Sequence, residues 1–178
     1  MKLLERYKKE CLTKTDIHLH LPTLYDLCKD EVVQEKGVYE CGFRTGVSTW
    51  AFLASKPAKV LSIDINSCDA SEHKKIAKSE KVKFSLRKQD SKNYLPKESP
   101  FGLSMIDTLH EYKHLYAELE HISKFTEKYI VIHDTDKRFE KQGRTKSAIN
   151  DFVSRHKEWA VKSHTEMLHG LTVLEKTK

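Results

Sequence analysis

Residues 39–66 read YECGFRTGVSTWAFLASKPAKVLSIDIN, and this stretch decides the fold. A short apolar run closes on Glu40, and a glycine loop follows from Gly42 to Gly46. A helix-like segment then leads to a breaker at Pro57, a second apolar run and a carboxylate at Asp64. Such alternation predicts a strand–loop–helix–strand unit with an acid at the end of its second strand. The pattern continues on both sides. Strands are predicted near 38–41, 59–64, 82–86, 102–107 and 128–133, and helices near 47–55, 70–79, 112–126 and 145–157. Strands separated by helices imply a parallel sheet with right-handed crossovers. The expected fold class is therefore α/β: a Rossmann-like, doubly wound, mostly parallel sheet with helices on both faces.

The ends of the chain read differently. Residues 1–14 predict an amphipathic helix with Leu3, Leu4, Tyr7 and Leu12 on its apolar side. Residues 22–36 predict another, opening at Pro22 and stopped by Gly37. Together, 1–36 is expected to form a helical cover or a dimer contact on a single domain spanning 1–178. Near the C-terminus, the β-like runs Trp159–Val161 and Leu171–Leu174 flank the turn-like MLHG and predict a closing antiparallel hairpin. Asp69 and Glu72 suggest a capping box at the start of the 70–79 helix. Leu115, Leu119, Ile122 and Phe125 keep helical spacing and should face the sheet.

Composition removes several function classes. The 32 basic and 26 acidic residues give +6, interspersed along the chain. With no Arg-rich block or basic stripe interleaved with aromatics, this favours a solvated surface over a nucleic-acid partner. Cys11, Cys28, Cys41 and Cys68 form no C-x-x-C pair, which excludes zinc-ribbon and thioredoxin-like readings. The N-terminus is too charged for a signal peptide, and no run approaches the ~20 apolar residues of a membrane span. The expectation is a cytoplasmic protein with reduced thiols and no membrane partner.

The glycine loop has the form E-x-G-x-x-x-G. It lacks the middle glycine that admits a pyrophosphate and the GK[ST] of a phosphate loop. In open α/β sheets, ligands bind beyond the carboxyl ends of the strands. Gly42 and Gly46 let the backbone approach such a ligand, and the following helix supplies N–H groups. Asp64, about 20 residues on, is placed to accept ribose hydroxyls. A cofactor with ribose but no phosphate fits this pattern, and S-adenosylmethionine is the expected one. Glu40 would then hold the water or amino group of its methionine part, with Ser48 in the following helical turn.

The second half carries candidate chemistry at the same sheet edge. Asp107 ends the fourth predicted strand, His110 follows it by three residues, and His133-Asp134 ends the fifth. Carboxylates at Asp107 and Asp134 suit a hard divalent cation, and His110 titrates where a general base should. Each has a plainer alternative: Asp107 as a helix cap, Asp134 as a turn former, His110 as a surface histidine. The H-x-H of His18 and His20 is too little for a metal site. HEYKH, residues 110–114, is a literal H-E-x-x-H. Its first histidine lies in a loop just past a strand-ending aspartate, so a zinc-protease reading fails.

Five blocks, in order, resemble the class I S-adenosylmethionine-dependent methyltransferases: DIHLHLPTLYDLC, ECGFRTGVSTWAFL, MIDTLHEYKHLYAELE, YIVIHDT and HGLTVLEK. They are most similar to the small-molecule O-methyltransferase group with cephalosporin-hydroxylase-like and macrocin-type members. The resemblance implies O-methylation of a small hydroxylated acceptor, with Gln89 and Asp90 contacting the adenine and His20 bordering the cofactor pocket. It also implies that Asp107, His133 and Asp134 hold a divalent cation, magnesium or manganese, with His110 as the base. His133 departs from the acid usual at its position, and imidazole suits manganese, iron or zinc better than magnesium. Two rival readings stand beside this one: a methyltransferase acting on RNA, and a non-catalytic cofactor-binding or interaction module.

Overall fold

The computed structural model describes residues 2–177. Seven strands form one sheet in the order β3-β2-β1-β4-β5-β7-β6. They are β1 Val38–Cys41, β2 Val60–Asp64, β3 Phe84–Lys88, β4 Phe101–Ile106, β5 Thr126–His133, β6 Trp159–Thr165 and β7 Leu171–Lys176. β1 to β5 pair in parallel. β7 is antiparallel to both β5 and β6, so the closing hairpin inserts its second strand next to β5. The order of the strands reverses between β1 and β4, which is where an open α/β sheet leaves a crevice.

The helices are α1 Leu3–Leu12, α2 Leu21–Leu27, α3 Glu31–Lys36, α4 Val47–Ser55, α5 Ser71–Ser79, α6 Tyr112–Ile122, α7 Lys137–Gly143 and α8 Thr145–Arg155. They pack on both faces of the sheet. One core layer joins Leu3, Leu21, Val33, Trp50 and Ile76 of α1–α5 to Val38, Leu103 and Val131. The other joins Leu115, Leu119 and Ile122 of α6 and Phe152 of α8 to Tyr39, Ile63 and Ile132. The predicted inward stripe of Leu115, Leu119, Ile122 and Phe125 is buried throughout.

Several boundaries differ from expectation for physical reasons. The 22–36 helix is two helices, because the Asp30 side chain accepts from the Val32 N–H at 2.9 Å and restarts the chain as α3. On α1 only Leu3 and Tyr7 of the four predicted apolar residues are buried; Leu4 and Leu12 face solvent. The capping box at Asp69 and Glu72 does not form. Asp69 instead accepts from the Ser71 N–H and hydroxyl, while Ala70 holds the cap position. β3 starts two residues later than predicted, and α7 was not foreseen; it begins where Asp136 accepts from Arg138 and Phe139 N–H groups. Among the 1–36 helices, α1 and α2 pack on α4, and α3 packs directly on β4 and β5, against the start of β4 rather than at the sheet's carboxyl edge. The segment between α1 and α2 is the part that reaches that edge, through contacts from Asp16 to Arg44 and His133.

Candidate active site

Gly42 follows β1 at the switch point. Its φ of +92° and the approach of the Asp107 carbonyl leave no room for a side chain. The Asp107 N–H donates to the Cys41 carbonyl at 2.9 Å, so the loops after β1 and β4 are tied together there. Beyond them lies a cavity of about 390 Å³, within the size range of small-molecule sites. Its wall includes Gly42, Asp64, Gln89, Asp90 and Asp107 from the predicted set. Asp64 is buried, and its two oxygens accept the Arg44 N–H at 2.9 Å and the Asn66 N–H at 2.8 Å. Each carboxylate oxygen has a second lone pair, so capacity for a ligand hydroxyl remains.

Glu40, Gly46 and Ser48 are not on that wall. Glu40 is 0% exposed and accepts hydrogen bonds from the hydroxyls of Ser48, Thr49 and Ser62. Burial, countered by these bonds, lifts its carboxyl to about 7. Its place is behind the loop, tying β1 to the first turn of α4 and to β2. Gly46 has φ +73° and lies against the Phe43 ring. Its carbonyl is bonded to His73 Nε2 at 2.9 Å, and His73 stacks on Trp50 at 3.8 Å.

Beside the cavity, Asp107, His110 and Asp134 converge, offering ligand atoms within 4.8 Å of one another. His110 Nε2 is 2.9 Å from Asp134 Oδ2 and 3.6 Å from Asp107 Oδ1. The approach to Asp134 is close but not aligned as a hydrogen bond, so this buried nitrogen has no directed partner. Burial opposes a charge on His110, yet Asp107 and Asp134 outweigh it and raise the imidazole to about 9. Asp107 is likewise penalised by burial, but His110 and His133 hold its carboxyl well below the usual carboxylate range. The carbonyl of His110 lies where a Cβ on Gly143, the last residue of α7, would stand 1.6 Å away, so the end of α7 braces this loop.

His133 is placed differently from the expectation that it ligates a metal. Its Nδ1 is bonded to Asp107 Oδ1 at 3.3 Å and its Nε2 to the Asp16 carbonyl at 3.2 Å. Both partners accept only, so both bonds form together only when both ring nitrogens carry protons. Burial opposes that charge, but Asp107, Asp134 and Asp16 raise the pKa. With both ring nitrogens engaged in this way, His133 is not among the ligand atoms that converge in the cluster. The donor set that fits a cation is Asp107, Asp134 and the undirected Nε2 of His110.

His20 does not border the cavity. It lies edge-on to His133 with ring centroids 5.7 Å apart, and its Nε2 meets the Leu168 carbonyl at 3.1 Å. His18 turns back to the Thr15 carbonyl at 2.7 Å, so the H-x-H pair serves two separate contacts. In HEYKH, His114 faces the buried Glu118 at 3.3 Å while His110 faces the aspartates, so the two histidines share no site.

No protein-family profile and no curated protein matches the chain. Solved structures do. Magnesium protoporphyrin IX methyltransferase from Synechocystis PCC 6803, with bound SAH, superposes at a TM-score of 0.65 and 13% identity, over 97% of this chain and 92% of that one. A protein provisionally described as an O-methyltransferase from Klebsiella pneumoniae gives 0.66 and 17%, over 99% and 88%. An rRNA methylase from Streptococcus thermophilus gives 0.61 and 19%, over 93% and 98%. The chain has the Rossmann-like methyltransferase fold.

On this methyltransferase fold, several residues missed by sequence reasoning shape the site. Arg44, Ile65, Asn66, Ser91, Thr108, Leu109 and His114 also line the cavity. Ile65 and Leu109 are large apolar side chains that remain exposed. Their positions directly after Asp64 and two residues after Asp107 were the available signal. His169, in the turn between β6 and β7, bonds Asp134 Oδ1 through Nδ1 at 3.1 Å. It has φ +72° and follows Leu168 at φ +44°, and Asp134 itself has φ +56°. Left-handed backbone at non-glycine residues on both sides of this contact is strain concentrated at the site.

Proposed function

We propose that the protein is an S-adenosylmethionine-dependent methyltransferase acting on the hydroxyl of a small molecule. The observation that carries this reading is the course of one cavity wall. It runs from Asp64, Gln89 and Asp90, suited to ribose and adenine, to Asp107, which borders His110 and Asp134. A cofactor laid along it would present its sulfonium toward the acid–histidine cluster. The carboxylates of the wall favour a cationic sulfonium. Methyl transfer is an in-line displacement, so an acceptor oxygen held near contact must lose its proton as the carbon–oxygen bond forms. His110 is the proton acceptor in this reading, once it has given up the proton that Asp107 and Asp134 stabilise. His133 orients Asp107 and ties it to the Asp16 carbonyl.

A divalent cation, where used, would be held by Asp107, Asp134 and His110, and would lower the pKa of the acceptor hydroxyl. Its presence there would also oppose the proton on His110.

The deciding experiment is calorimetric titration with S-adenosylmethionine and S-adenosylhomocysteine, with and without manganese or magnesium, followed by an acceptor screen. Micromolar affinity is expected; no binding in any condition rejects the reading. A nucleic-acid acceptor is the second reading, motivated by the likeness to an rRNA methylase. The site's acids, Asp16, Asp64, Asp90, Asp107 and Asp134, oppose a phosphodiester backbone there. Steep salt dependence of binding to an RNA pool would favour that alternative.

A further inference from the structure

We propose that Arg44 binds the α-carboxylate of the cofactor's methionine portion, and that Asp16 competes with that carboxylate for the guanidinium. The inference rests on the S-adenosylmethionine reading above.

Among the described residues, Arg44 is the only lysine or arginine on the cavity wall, which also carries Asp64, Asp90 and Asp107. An amino-acid ligand brings a sulfonium and an ammonium that these acids welcome. It also brings a carboxylate that they repel, and the guanidinium is the group that can answer it.

The residue is held for such a task. Its backbone N–H donates to Asp64 Oδ2 at 2.9 Å, and its φ is +49°. A left-handed conformation strains a non-glycine residue, so a glycine would sit more easily here. The backbone of Arg44 thus fixes the acid meant for the ribose, while its guanidinium is held elsewhere, at Asp16.

Among the described residues, that side chain makes a single hydrogen bond, from Nη1 to Asp16 Oδ2 at 2.8 Å. A carboxylate can take two parallel bonds from a guanidinium, so a better mode is available to the ligand. Both partners are part-exposed, 59% for Arg44 and 32% for Asp16, and exposed pairs of this kind are weak. The Asp16 carbonyl is separately held by His133, so the exchange needs only the Asp16 carboxylate to turn away, with the segment staying in place.

The test is calorimetry with two probes on the wild type, Arg44→Ala and Asp16→Asn. S-adenosylhomocysteine carries the amino acid; 5′-methylthioadenosine keeps the adenosine and sulfur but lacks it. Arg44→Ala should weaken S-adenosylhomocysteine about tenfold or more and leave 5′-methylthioadenosine unchanged. Asp16→Asn, by removing the competitor, should tighten S-adenosylhomocysteine about two- to fivefold and again spare the shorter probe. The assignment is overturned if Arg44→Ala weakens both probes alike, which is a structural effect, or weakens neither. The competitor role is overturned if Asp16→Asn leaves S-adenosylhomocysteine affinity unchanged or lower. If the wild type binds neither probe, the cofactor reading itself fails and takes this inference with it. Circular dichroism on both variants confirms that the fold is retained.

Discussion

A Cβ built on Gly42 would stand 1.9 Å from the carbonyl oxygen of Asp107. The obstacle is backbone, held in place by the Asp107 N–H bond to Cys41, so nothing nearby can rotate away. Gly42→Ala must therefore part the loops after β1 and β4, and must also strain a backbone at φ +92°. Overpacking and the left-handed conformation each cost about 1–3 kcal/mol. The expected outcome is a variant with a clearly lowered Tm and little affinity for S-adenosylhomocysteine. Near-wild-type stability and binding would mean that the two loops are not tied at the switch point.

Glu40 sets a pH dependence of stability. Burial raises its carboxyl from an ordinary 4.5 to about 7, against the pull of three hydroxyl bonds. The folded state binds this proton more tightly than the unfolded chain. The stabilisation is therefore complete below pH 4.5 and fades as pH rises through about 7. The full change is about 3 kcal/mol. Glu40→Gln keeps the shape and lets the hydroxyls reorient, so it should flatten the slope between these values. Urea unfolding at pH 4.5, 6 and 8 measures it; an unchanged slope in the variant would assign the dependence to another group.

Glu118 organises the far wall of the cavity. It is 0% exposed and accepts from the Ser91 and Thr108 hydroxyls, with His114 Nε2 3.3 Å away. Three segments of the chain meet on this one carboxylate, and all three of those residues line the cavity. Glu118→Ala would leave two hydroxyls without their partner, at about 1–3 kcal/mol each. It should lower Tm and weaken cofactor binding together. Loss of stability with binding intact at low temperature would show that the wall does not touch the ligand.

Glu118 also illustrates what the sequence could not reveal. The carboxylates at strand ends were legible because strand periodicity puts Asp64 and Asp107 on the carboxyl edge whatever their neighbours. Glu118 sits among polar and apolar residues of an amphipathic helix, and no local pattern distinguishes a buried acid from a solvated one. The same limit applied to Glu40. Its position near the end of β1 was legible, but the side of the strand it faces depends on Ser48, Thr49 and Ser62, two of them on a helix whose docking is a tertiary fact. His169 lay beyond reach for another reason. Its contact with Asp134 spans 35 residues and exists only because β7 inserts beside β5. His133 was legible as a site residue but not as a link between two segments, since its second partner is a backbone carbonyl far upstream at Asp16.

His110 should impose a rising limb on the pH–rate profile. In the free protein the two aspartates hold its proton to about 9, against the cost of burial. At neutral pH it is an acid, and a general base must be deprotonated to act. If His110 takes the acceptor's proton, kcat/KM for an acceptor found in the screen should climb with pH and level off above about 9. The stability it lends runs the opposite way. It is present in full below pH 6.5 and is lost as pH rises through about 9, so the rate gains where the fold weakens. A manganese or magnesium ion among Asp107, Asp134 and His110 would repel the proton and move the rising limb to lower pH. Profiles recorded with and without manganese, on wild type and His110→Gln, separate these effects. His110→Gln should lose the limb while keeping S-adenosylhomocysteine affinity, because His110 is not on the cavity wall. A wild-type rate that is flat from pH 6 to 9 in the absence of metal would remove His110 as the base. The acceptor's proton would then have to pass to a different group.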